Sequence, residues 1–310
     1  VLLFTLGVVL WGAYVRASGA GAGCGNHWPL CNGEVVPRDP AVNTIIEFTH
    51  RVMSGVDGAL ILVLLLWALR LFPAKHPVRL GAALSTVFLV AEALIGAALV
   101  KLEHVAQNAS VGRAWSLSGH FVNTLTLVAC LALTAWWADG GRRLRLHGAA
   151  ARRGLPVLLL VVFSGIAGAI VALGDTLFPA HSLAAGLRQD LDTTASLFVR
   201  LRLVHPLLAV AAGVWAVFYA GRVAADAPNA KKYARWVAVL AVIQVLCGAA
   251  NWLLLAPVWM QMIHLLLADT FWIALVLLVA STLQESSLAA DIARDEMVPG
   301  PGRFERAGTK

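Results

Sequence analysis

Four histidines, His50, His120, His205 and His264, lie inside long apolar stretches of this chain. A lone histidine in such a setting is often packed and hydrogen-bonded, but ionisable groups are costly in an apolar medium. Four at related positions argue for a shared ligand. Two imidazoles facing each other from neighbouring helices are the usual axial pair of a six-coordinate haem iron, so four of them predict two haem sites. The other five histidines, His27, His76, His104, His147 and His181, fall in loops or at helix ends and read as solvated.

A carboxylate accompanies only the first of the four. In "IIEFTHRV", Glu47 precedes His50 by one helical turn and shares its face, with Arg51 following. The second-half counterpart, "RLRLVHPL", is read as carrying Leu or Val where the carboxylate would sit, with Pro206 after the histidine. An acid beside a haem edge can accept a proton, whereas its bland role is to pair with Arg51 or the helix dipole. Cys24 and Cys31, in "GCGNHWPLCNGEVVPRD", can close a small loop. A stabilising staple is the simple reading of that pair. With only His27 beside them they leave a tetrahedral zinc site incomplete. Cys130 and Cys247, inside apolar runs, read as packing residues.

The elements that carry these residues are set by composition. Hydrophobic residues make up 59% of the 310, and charged residues 13%, which excludes an ordinary soluble domain. Eight runs are long and apolar enough to read as membrane helices, at 1–17, 45–71, 79–100, 116–138, 154–173, 203–221, 236–256 and 259–283. The expected fold is an all-α integral membrane protein. The net charge of +7 invites a nucleic-acid reading, but the basic residues cluster after the second, fourth, sixth and eighth runs. That is the positive-inside pattern, which puts both termini in the cytoplasm and the cysteine loop outside, where disulfides persist. No nucleic-acid partner is expected, and the surrounding partner is membrane lipid. The first run begins at Val1 without a preceding Met or basic segment, so a trimmed N-terminus is expected and no cleaved signal peptide is read.

The runs also repeat. "GAYVRASG" from Gly12 echoes "GAIVALGD" from Gly168, and "EALIGAALV" from Glu92 echoes "QVLCGAANW" from Gln244. His50 matches His205 and His120 matches His264, with offsets of 156, 155, 152 and 144 for Gly12, His50, Glu92 and His120. Two repeat-related four-helix bundles follow, related by an axis along the membrane normal. The expected divisions are 1–140 and 154–284 for the bundles, 141–153 for a basic cytoplasmic linker, and 285–310 for a polar tail that is disordered or an interfacial helix. The four histidines lie within roughly two turns of the outer helix ends, hence at one depth.

Taken in order, "GAYVRASGAGAGCGNHWPLCNGEVVP", "EFTHR", "GHFVNT", "LVHP" and "IHLLLAD" closely resemble the heme A synthase family, over nearly all eight runs. The resemblance implies an oxidoreductase of the bacterial plasma membrane that converts the C8 methyl group of heme O to a formyl group, giving heme A for terminal oxidases. It implies that His50 and His120 face the substrate heme O, that His205 and His264 ligate a permanent heme b, and that Glu47 is the essential acid beside the substrate. It links the Cys24–Cys31 pair to haem handling. A second cysteine pair, carried by some bacterial members between the fifth and sixth runs, has no counterpart in residues 174–198. Arg16, Arg51, Arg113, Arg200 and Arg202, near outer helix ends, are candidates for pairing with haem propionates, against ordinary snorkelling. The implied partners are heme O synthase, an electron-transfer protein and a second copy of the chain in a homo-oligomer. Two other classes fit four histidines: a di-haem cytochrome b-type, quinol-linked electron carrier, and a haem transport or delivery protein. Glu47, present in the first half alone, favours the enzyme.

Overall fold

The computed structural model describes residues 1–192, 194, 196–227 and 230–284. Among these residues there are nine α-helices and no β-strand: α1 (Leu2–Ala17), α2 (Val42–Leu71), α3 (Pro77–Lys101), α4 (Val111–Ala138), α5 (Ala149–Leu177), α6 (Leu183–Leu191), α7 (Leu197–Asp226), α8 (Lys231–Leu253) and α9 (Val258–Thr282). Seven are long and apolar enough to cross a membrane; α1 is apolar but has only 16 residues. The ninth helix, α6, was not expected. It is short and polar, starts where Ser182 accepts a hydrogen bond from the Ala185 N–H, and lies in the loop that follows α5. α5 itself begins at Ala149, so the basic segment before it is shorter than 141–153. The tail expected over 285–310 lies outside the described residues.

Local sequence accounts for the helix limits. His76 and Pro77 start α3, the histidine ring accepting the Val78 N–H and the proline occupying the first turn, where no N–H is needed. Ser110 caps α4 through the Arg113 N–H. α2 stops ahead of Pro73, whose ring disfavours helical geometry in the residue before it.

Packing divides the helices by sequence order. α3 packs on α2 and α4, and α1 on α2 and α4; α7 packs on α5 and α8, and α9 on α8 and α5. Contact between the two sets runs through α4 against α5 and α9, and α1 against α5 and α9. Leu6, Leu125, Val128, Trp272 and Val276 form the apolar junction there, and the Trp272 indole donates to Leu125 O at 2.8 Å. Large apolar side chains such as Trp67, Val90, Leu94, Phe163, Leu207 and Phe218 point outward, the arrangement that a hydrocarbon solvent allows and water does not. This is a multi-pass helical membrane protein.

Candidate functional site

α2, α4, α7 and α9 each carry one of the four histidines, and each starts at the end of the molecule that bears the cysteine loop. His50, His120, His205 and His264 lie eight, nine, eight and six residues into their helices. At about 1.5 Å per residue they sit roughly 9 to 14 Å below that end. His50 and His120 are within electrostatic reach of each other, and so are His205 and His264.

Glycines bring the backbone of a neighbouring helix onto three of the rings. A Cβ on Gly12 would lie 2.9 Å from His50 Cε1, and one on Gly168 would lie 2.8 Å from His205 Cε1. Gly248 faces His264 at 3.0 Å in the same way, whereas its first-half counterpart, Gly96, has open space. His205 donates from Nδ1 to Ser164 O at 3.1 Å, which leaves Nε2 with its lone pair free. Nδ1 of His50, of His120 and of His264 is buried without a well-formed hydrogen bond. Buried polar atoms without partners are rare and costly, and iron coordination is one way to compensate an imidazole. Among the described residues no three His, Cys, Asp or Glu side chains gather to hold a bare metal ion. A haem iron needs only two.

Glu47 is buried at 4% exposure, and both its oxygens are engaged. Oε1 pairs with Arg51, at 2.5 Å from Nη2 and 3.2 Å from Nε, and Oε2 accepts the Cys24 N–H at 2.9 Å. Arg51 also donates to His27 O and Leu30 O, at 2.7 and 2.6 Å. Thr44 donates to Gly23 O at 2.7 Å, and a Cβ on Gly23 would collide with the Asn43 carbonyl. Cys24 and Cys31, nearly inaccessible, are joined in a disulfide. Four hydrogen bonds from Glu47, Arg51 and Thr44 thus hold the loop on the first turns of α2.

Counting three residues back from each histidine corrects the expectation of Leu or Val opposite Glu47: the matching residue is Arg202, of opposite charge. Arg202 does for the loop between α5 and α7 what Glu47 does for the cysteine loop. It pairs with Asp175 at 2.7 Å, lies 3.5 Å from Asp190 on α6, and donates to Gly174 O and Phe178 O. Burial raises the Asp190 carboxyl above its ordinary range, and the guanidinium of Arg202 opposes that rise. Charge pairing and backbone carbonyls anchor this loop.

Two of the other arginines proposed for propionates are also engaged. Arg16 reaches from α1 to Ala172 O and Thr176 on α5 and to Gln261 on α9, and Arg113 donates to Ala106 O and Asn108 O. The Arg200 side chain is exposed and makes no hydrogen bond or ion pair among the described residues. Of the histidines read as solvated, His104 is part-buried and bonds Ser116 at 2.8 Å.

Two buried acids, Asp57 and Asp269, and one half-buried acid, Glu92, escaped the sequence reading. Asp57 accepts from Thr5 at 2.9 Å, Asp269 leaves one oxygen without a partner, and Glu92 lies 3.4 Å from His120 Nδ1. An acid within a membrane span is itself a signal, and Glu92 was already visible opposite Gln244 in the repeat.

Fold and site together define a polytopic membrane protein with two pairs of neighbouring, helix-borne histidines near one end. The chain belongs to the COX15-CtaA family, described as cytochrome oxidase assembly protein, whose model matches residues 1–276. It is 48% identical over 298 residues to a protoheme IX farnesyltransferase of Thermus thermophilus, covering 94% of this chain and 49% of that protein. It is 35% identical over 136 residues to the heme A synthase of Alkalihalophilus pseudofirmus, covering 44% of this chain and 43% of that one. Against the heme A synthase of an Exiguobacterium species it is 33% identical over 166 residues, covering 51% and 52%. The chain spans about half the length of the relatives it matches.

Proposed function

We propose that this chain carries out heme A synthesis, oxidising the C8 methyl of heme O to a formyl group. The observation that carries the reading is the pairing of four helix-borne histidines at one depth; Nδ1 of His50 and of His264 is buried and unpartnered, and Nδ1 of His120 faces Glu92 at 3.4 Å. In this reading eight transmembrane helices form two repeat-related four-helix bundles, α1–α4 and α5 with α7–α9, with both termini cytoplasmic and the haem sites toward the outer face. The matching close approaches of Gly12 to His50 and of Gly168 to His205 support that symmetry.

His50 and His120 hold the iron of the substrate heme O, and His205 and His264 hold a resident heme b. Heme b, when bound, supplies reversible one-electron chemistry. The residues do the rest. Glycine-backed rings fix the ligand planes, and the clamped cysteine loop covers the first site. Glu47 anchors that loop, and it accepts a proton at the substrate's edge when its bond to the Cys24 N–H opens. Arg200 is the cation left to meet a propionate. Water provides the formyl oxygen, the released protons leave by way of Glu47, an electron-transfer partner takes the electrons that the methyl group loses, and a heme O synthase supplies the substrate.

The name of the Thermus relatives denotes another haem modification, yet this chain matches only half of that protein. We assign the farnesyl transfer to the half it does not match. Expression with and without a heme O supply, followed by extraction and chromatography of the bound haems, tests the proposal. Formyl haem appearing only with heme O supports it. Heme b in both sites with no formyl haem indicates an electron carrier, and heme O released unchanged indicates a delivery protein.

A further inference from the structure

Glu92 on α3 and Gln244 on α8 occupy matching places in the repeat, and each contacts the histidine of the following helix. Glu92 Oε1 lies 3.4 Å from His120 Nδ1 and accepts from the Thr124 hydroxyl, while Oε2 accepts from the Asn123 amide at 2.5 Å. Gln244 instead sets its amide nitrogen 3.3 Å from His264 Nε2 and 3.1 Å from His264 O, and its own Oε1 is buried without a partner.

The supporting residues differ in step. Asn123 and Thr124 follow His120 by three and four positions, where Leu267 and Ala268 follow His264. A carboxylate in apolar surroundings needs donors, and only the first half supplies them. A ligand imidazole that gives its second ring N–H to a carboxylate is locked in one tautomer and orientation, and becomes the more basic donor to the metal. An amide supplies no such charge.

We propose that Glu92 is a positioning residue that makes His120 the firmer and more electron-donating axial ligand of the first-half iron porphyrin. The glutamine leaves the second half a weaker-donating site. The inference rests on the assignment of His120 as a haem ligand under the proposed function. It sets the two irons at different potentials, the first-half iron being the harder to reduce.

The test uses the full chain in lipid nanodiscs, titrated with ferric iron protoporphyrin IX and followed by Soret absorbance and redox titration. Glu92→Gln copies the second half, and is expected to lower first-half affinity about ten- to a hundredfold. It should also raise the potential of that site while the second-half spectrum stays unchanged. Wild-type affinity and potential in Glu92→Gln would overturn the proposal. So would loss of both haems together, which would make Glu92 only a clamp between α3 and α4. An independent variant transplants the set, Gln244→Glu with Leu267→Asn and Ala268→Thr, and should lower the second-half potential; a folded triple variant at the wild-type potential also overturns it. A wild-type chain that takes up no iron porphyrin removes the haem reading itself, whereas uptake with an indifferent Glu92 removes this inference alone.

Discussion

The carboxylate of Glu47 accepts the backbone N–H of Cys24 at 2.9 Å, and so ties the α2 helix to the first cysteine of the disulfide loop. Its other oxygen is bound to Arg51, which in turn holds two further carbonyls of that loop. Glu47→Gln keeps the side chain's size but removes one of these acceptors and the charge. Buried hydrogen bonds to a charged group are worth about 1.5–3 kcal/mol, so the loop should open roughly tenfold or more often. Pulsed reduction followed by thiol alkylation and mass spectrometry should show faster modification of Cys24 and Cys31, with second-half haem retained and heme A yield reduced. Wild-type reduction kinetics with a lost yield would point instead to direct proton transfer by Glu47. Near-normal yield would withdraw the proton-transfer role, and near-normal yield with wild-type reduction kinetics would withdraw both roles.

The two close glycine contacts give a paired prediction. Gly12→Ala and Gly168→Ala each insert a methyl within 3 Å of a histidine ring. Overpacking of this kind costs about 1–3 kcal/mol and displaces the softer partner, here an imidazole. Gly12→Ala should weaken the first-half haem alone and Gly168→Ala the second-half haem alone, each read by haem-to-protein ratio. Gly96→Ala, at a position with open space, is the control and should leave both unchanged.

Removing an axial ligand should be more severe. Under the proposed assignment, His205→Ala or His264→Ala takes one imidazole from the second pair, so low-spin heme b should be absent from the purified variant and heme A production should stop. Full low-spin heme b in both variants would refute the assignment.

Arg202 and Arg200, two residues apart on α7, should behave oppositely. Arg202→Gln leaves Asp175 and Asp190 without their cation. Breaking a buried pair from one side typically costs about 3–5 kcal/mol, so the thermal midpoint should fall markedly. Arg200→Gln removes an exposed group and should change the midpoint little, while weakening haem uptake through loss of the proposed propionate contact. Equal midpoints for the two variants would contradict the anchoring role of Arg202.

Much of the site was legible one residue at a time. Long apolar runs imply membrane helices whatever packs beside them, because the solvent imposes that requirement on each segment separately. Histidines within those runs stand out for the same reason, and the repeat sets them at one depth. Cys24 and Cys31, seven positions apart, are close enough in sequence for their pairing to be read locally.

What the sequence could not determine was where each charge would be spent, since that depends on side chains distant along the chain. The four arginines chosen for propionates besides Arg200 resemble it in sequence, yet the fold gives each a protein partner, as Arg16 meets Ala172 from 156 residues away. Glu47 could be read as a free acid until the loop 23 residues before it was folded onto its carboxylate. Glu92 looked like one letter of an echo until α4 brought His120, Asn123 and Thr124 around it. Apolar character, ionisable residues and repeats are properties of segments and survive without a fold. Hydrogen-bond partners in a low-dielectric interior are assigned only when helices pack, because an unpaired charge there takes whichever donor the tertiary structure brings within reach.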